Sequence, residues 1–159
     1  MPKIILPSIK QIIEDFPTLA FKESEDFYFS ANESCVYYNK KLVSSEAGIF
    51  QLFHEIGHAS SKHHHYESGV ELLKMESEAW SKAKHIAKQY ELKIPDSTIE
   101  KCLDSYRDWL HLRSVCPNCK NTSVEAEINQ YHCFNCFQNW SVPLDQRARK
   151  YRHKTTVRN

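Results

Sequence analysis

No apolar run in this chain of 159 residues approaches the roughly 20 residues a helix needs to cross a bilayer. A membrane-spanning reading is therefore set aside. Charge of one sign is also missing: a formal +1 at pH 7 gives the whole chain no basic character that would mark it as a nucleic-acid binder. Neither an internal repeat nor a low-complexity tract is present. The opening Met1-Pro2-Lys3-Ile4-Ile5-Leu6-Pro7 is too short, and too soon interrupted by proline, to form the apolar core of a secretory signal. These absences predict an intracellular, cytoplasmic protein with no membrane partner. The length allows one sizeable core, or a domain of about 110 residues plus a small module held by something other than hydrophobic burial.

The cysteines favour the second option. Four of the six fall as Cys116-Pro117-Asn118-Cys119 and Cys133-Phe134-Asn135-Cys136. In a reducing compartment two such pairs read as metal ligands, not disulfides. Each Cys-x-x-Cys turn presents two thiolates to one ion, and two turns close a tetrahedral site of the structural kind, with no position left for chemistry. Either pair alone could be a redox motif; the two together predict a zinc ribbon over residues 113–143, with Val124, Ile128, Tyr131, Phe134, Phe137 and Trp140 on short strands around it. Its zinc would hold the fold of a segment too small to bury a core. Cys35 and Cys102 remain, and both are expected to be buried free thiols.

What most distinguishes the chain is His54-Glu55-Ile56-Gly57-His58, an H-E-x-x-H pattern inside the apolar-periodic run from Phe50 to Ala59. On a helix, residues four apart lie on one face, so both imidazoles can reach one ion. Glu55 then stands beside it to take a proton from water. Ser44 or Ser45 can cap this helix, and Ile49, Phe53 and Ile56 give it a buried side. Gly57 costs about 1 kcal/mol relative to alanine in mid-helix, so a close approach by another element is expected there.

Around this helix the spacing predicts a short helix between Pro7 and Pro17, a hairpin of Phe27 to Phe29 with Cys35 to Tyr38, a polar loop from Ser60 to Gly69, a long helix from about Val70 to Tyr90, and a last helix capped by Asp96 or Ser97. The fold class is α+β, mostly helical with a short antiparallel sheet, over residues 1–112. His63 and His65 are read as solvated loop residues.

A catalytic zinc takes three protein ligands and keeps one position open. The long helix offers Glu71, Glu76 and Glu78. Glu76 falls near the middle of the apolar stripe made by Leu72, Ala79, Ala83 and Tyr90, where a carboxylate needs a partner; Glu78 falls outside that stripe and stays as an alternative. His64 offers another, because His54, His58 and His64 fit the metzincin spacing except that Ser61 replaces the glycine of the sharp turn.

Taken together, His54-Glu55-Ile56-Gly57-His58 and Glu76-Ser77-Glu78-Ala79-Trp80-Ser81-Lys82-Ala83 resemble the ImmA/IrrE family of small zinc metallopeptidases, over roughly Phe27 to Pro95. The resemblance implies a zincin-like domain, Glu76 as third ligand, and an intracellular regulatory protease whose protein substrate is a repressor or antitoxin-like regulator. The expected activity is a zinc-dependent endopeptidase with Glu55 as general base and two zinc ions, one catalytic and one structural. Tyr37, Tyr38 and Tyr66 are candidates for oxyanion stabilisation. The alternative is a non-proteolytic binding module: residues 144–159 carry Arg147, Arg149, Lys150, Arg152, Lys154 and Arg158 against one acid, Asp145, and such a tail beside ribbon aromatics such as Phe137 and Trp140 could contact nucleic acid.

Overall fold

The computed structural model describes residues 4–143; the basic tail lies outside the described residues. The fold is α+β, with four α-helices and two small sheets among the described residues. The described chain separates into two compact units, residues 4–64 with 75–96, and residues 65–74 with 97–143.

In the first unit, α1 (Ile9–Asp15) starts at Ser8, whose side chain accepts from the Gln11 N–H. Three strands follow: β1 (Ala20–Glu23), β2 (Tyr28–Ser30) and β3 (Cys35–Tyr38). The hairpin of β2 and β3 is antiparallel, as its turn chemistry predicts. β1 has no signal in the sequence and pairs parallel to β3, so the sheet is mixed, in the order β1-β3-β2, and not purely antiparallel. β2 is left as an edge strand.

A single 3-10 turn (Leu42–Ser44) leads into α2 (Glu46–Ser60), capped by Ser45, which accepts from the Gly48 N–H. Ile49, Leu52, Phe53 and Ile56 on α2 are fully buried, and α2 packs against β2 and β3. α3 (Gly69–Gln89) contributes Ala79, Trp80, Ala83, Ile86 and Ala87 to the buried set. The glycine in the middle of α2 has the expected cause. A Cβ on Gly57 would overlap the carbonyl oxygen of Ala79 and lie 3.1 Å from its Cα, so the two helix backbones meet there.

The second unit holds α4 (Asp96–Ser114) from its second residue onward and a three-stranded antiparallel sheet, β4 (Val124–Glu127), β5 (Gln130–His132) and β6 (Asn139–Ser141). Tyr131 and Trp140 stack at 5.4 Å inside this sheet with Cys116, Cys133 and Val142. Arg113 at the end of α4 is buried. Its guanidinium lies 4.2 Å over the Trp109 ring and donates to the Asn129 side-chain oxygen, while its carbonyl accepts from the Trp140 indole at 3.1 Å. None of the described helices is long and apolar enough to cross a membrane.

Candidate metal centres

Helix α2 carries His54 and His58 one turn apart with Glu55 next to His54, and α3 brings Glu76 opposite the two histidines. The three candidate ligands form one cluster: His54 Nε2 to Glu76 Oε2 is 3.0 Å, His58 Nε2 to Glu76 Oε1 is 3.2 Å, and the two Nε2 atoms are 3.1 Å apart. Ligands about 2.0–2.1 Å from one tetrahedral ion lie roughly 3.3 Å from each other. The donor set therefore fits a small divalent cation such as zinc.

Protons alone fit the cluster less well. Each neutral imidazole can donate one Nε2–H to Glu76, which satisfies two of the three edges; the third then sets two N–H groups against each other. If one imidazole donates to the other instead, an edge to Glu76 is lost. A cation in the middle satisfies all three.

Electrostatics favour the ligating forms. Burial pushes the His54 imidazole down, against the opposing pull of Glu76, and so favours the neutral ring that binds metal. Burial works to raise the Glu76 carboxyl, but hydrogen bonds from His54 and His58 outweigh it and hold Glu76 well below the usual carboxylate range. His54 also stacks on Trp80 at 4.3 Å, which orients its ring, while its Nδ1 has no hydrogen-bond partner among the described residues.

Glu55 is 7% exposed, and both its oxygens are engaged. One accepts from the Phe29 N–H at 3.0 Å, the other from the Gln51 side chain at 3.0 Å. A carboxylate has about four acceptor positions, so two remain for a water or a substrate proton. The Phe29 N–H that reaches Glu55 points away from β3, so the open edge of β2 faces this carboxylate.

The alternative ligands lie elsewhere. His64 and Glu78 are exposed and outside the cluster. His63, read from the sequence as a solvated loop residue, is instead half-buried, within 2.9 Å of His58 Nδ1 through its own Nδ1 and 3.1 Å from Glu78 through Nε2. His65 is exposed as expected. Of the oxyanion candidates, Tyr37 is committed to Glu33 and Lys22, and Tyr38 is buried.

In the second unit, Cys116, Cys119, Cys133 and Cys136 form the other cluster, contributed by two knuckles whose turns are closed by Lys120 N–H to Cys116 O and Phe137 N–H to Cys133 O. Sulfur pairs Cys116–Cys136 and Cys119–Cys133 are each 3.5 Å apart. A disulfide needs about 2.05 Å, whereas sulfurs about 2.3 Å from one tetrahedral ion lie about 3.8 Å apart. This set also fits a metal. A backbone hydrogen bond from Asn121 and a side-chain one from Asn135 bring the Cys119 thiol down to about 6, toward the thiolate a metal requires. Of the remaining cysteines Cys35 is buried, as expected, but Cys102 is only partly so.

Comparisons with protein-family models, curated proteins and solved structures find no match for the chain. The functional reading therefore rests on the geometry and on the sequence motifs.

Proposed function

We propose that this protein is a zinc-dependent endopeptidase with a zincin-like catalytic unit and a four-cysteine zinc ribbon, acting inside the cell on a protein substrate. The observation that carries the reading is the cluster of His54, His58 and Glu76, whose three mutual distances suit a shared cation and cannot all be served by protons. A zinc ion on these ligands would supply Lewis-acid chemistry, with a fourth position open to water and substrate.

The protein's own residues supply the rest. Glu55 is the base: held by Phe29 and Gln51, it keeps acceptor positions free to take the proton of the attacking water and pass it to the leaving amine. Glu76 contributes charge and geometry only. The motif resemblance to the ImmA/IrrE family supports the same ligand set and suggests a repressor or antitoxin-like regulator as substrate.

The test compares newly formed protein N-termini in cells producing the wild-type chain and Glu55→Gln. Ends that appear only with the wild type support the reading. Indistinguishable ends, with both proteins carrying metal, would overturn it.

A second reading is favoured by one feature of the ribbon. Phe134 and Phe137 are 69% and 71% exposed, with the His132 ring 4.9 Å and 6.2 Å from them. Such a surface suits stacking with unpaired bases, and the six basic residues that follow in the sequence suit phosphates. Trp140 has no part in it: only 2% exposed, it belongs to the core of its sheet.

A further inference from the structure

We propose that His63 and Glu78 form a positioning relay that sets which nitrogen of His58 is offered to the metal. The inference rests on the zinc reading of the His54, His58 and Glu76 cluster, and extends it to two residues outside the ligand set.

The argument follows the protons inward from the surface. Glu78, as a carboxylate, only accepts, so the His63 nitrogen facing it at 3.1 Å, Nε2, carries the hydrogen. A neutral His63 then has a bare Nδ1. That atom lies 2.9 Å from His58 Nδ1, which must therefore be the donor. His58 with hydrogen on Nδ1 presents a lone pair at Nε2, the atom that meets His54 and Glu76. With His63 neutral each step has one assignment, and the last is the tautomer a metal ligand needs.

The backbone is shaped to place His63. α2 ends as Ser61 N–H bonds to Gly57 O and Lys62 N–H to Ala59 O; Lys62 then takes a left-handed conformation with φ of 53°, and His63 N–H returns to His58 O at 3.1 Å. A lysine in that region is uncommon, and the turn it makes carries the His63 ring back to His58. The two histidines differ in support. His54 Nδ1 has no hydrogen-bond partner among the described residues and the ring is oriented by the face of Trp80, so among those residues the relay is the hydrogen-bonded support of the pair. Outer partners of this kind typically govern metal affinity by about 10–100-fold.

The test measures zinc affinity of the full-length chain by competition with a chromogenic chelator, with the four-thiolate site as internal reference. His63→Leu should weaken the chelator-labile zinc by about 10–100-fold and leave the other in place. His63→Asn, which keeps an acceptor near the Nδ1 position, should recover part of the loss. Glu78→Ala should weaken binding, and adding it to His63→Leu should change affinity by less than about twofold, because both act through one chain of hydrogen bonds. Unchanged affinity in His63→Leu, or additive losses in the double variant, would overturn the relay. Melting of each metal-free variant separates misfolding from lost affinity, and His63→Asn decides the matter if His63→Leu does not fold. His54→Ala separates the two proposals: if it leaves the labile zinc bound, the metal reading itself fails; if it strips that zinc while His63→Leu binds normally, only the relay fails.

Discussion

Gly57 and Ala79 meet backbone against backbone, at the crossing that brings Glu76 to the two histidines of α2. Any side chain at residue 57 has to move a helix, because the atom it meets is a main-chain carbonyl. Gly57→Ala should therefore destabilise the protein by about 1–3 kcal/mol even though alanine is the better helix former by about 1 kcal/mol. Denaturant titration measures this. The same variant should bind the labile zinc more weakly, since separating α2 from α3 pulls a carboxylate away from two imidazoles. A stability equal to or above that of the wild type would contradict the close crossing.

The third ligand is testable without any substrate. Glu76→Ala removes one of three ligands and leaves two imidazoles facing a gap, so the purified protein should fall from two zinc ions per chain to one by elemental analysis. His64→Ala should keep both, because that side chain is exposed and outside the cluster. The opposite pattern would restore the metzincin ligand set.

Much of this site was legible because its signals are local. The four-residue spacing of His54 and His58, the serine cap of α2 and the glycine at the crossing are all readable within one helix. Glu76 was legible as a carboxylate in an apolar stripe, which only a partner across the helix pair explains. β3 appeared as expected over Cys35–Tyr38, a short run rich in β-formers. β1 did not, since Ala20-Phe21-Lys22-Glu23 has weak strand propensity and its partner is fixed by a parallel pairing no local pattern announces. His63 was misread for a related reason: in a run of three histidines, the one turned inward depends on a left-handed Lys62, and lysine is not a residue that signals that conformation. Trp140 looked like a surface aromatic because alternation in a three-residue strand is too short to say which face is buried.

The cysteine cluster should be structural. The hydrophobic set of its sheet is small, built on Tyr131, Trp140 and Val142, and a site of four thiolates can add roughly 10–16 kcal/mol of apparent binding energy at neutral pH. Cys116→Ser should thus lower the metal content by one ion and loosen residues 115–143, read as faster amide exchange there. The His54, His58 and Glu76 site should keep its zinc. Retention of both ions by Cys116→Ser would remove the ribbon assignment.

The exposed pair Phe134 and Phe137 gives the last prediction. Stacking a base on an aromatic side chain is worth about 1–3 kcal/mol, and each phosphate contact made to a single strand adds roughly 0.7 to the slope of log affinity against log salt. If the ribbon and the basic tail bind a single strand, Phe134→Ala and Phe137→Ala should weaken binding at every salt concentration while leaving the salt slope unchanged. A chain ending at Pro143 should lose the slope. Trp140→Phe should do neither, because that ring faces Tyr131 within the sheet. Fluorescence anisotropy of a labelled single-stranded oligonucleotide, at low and physiological salt, separates these effects. Absence of binding by the full-length chain at low salt would exclude the nucleic-acid reading and leave a protein partner as the reason for two exposed aromatics on the turn between β5 and β6.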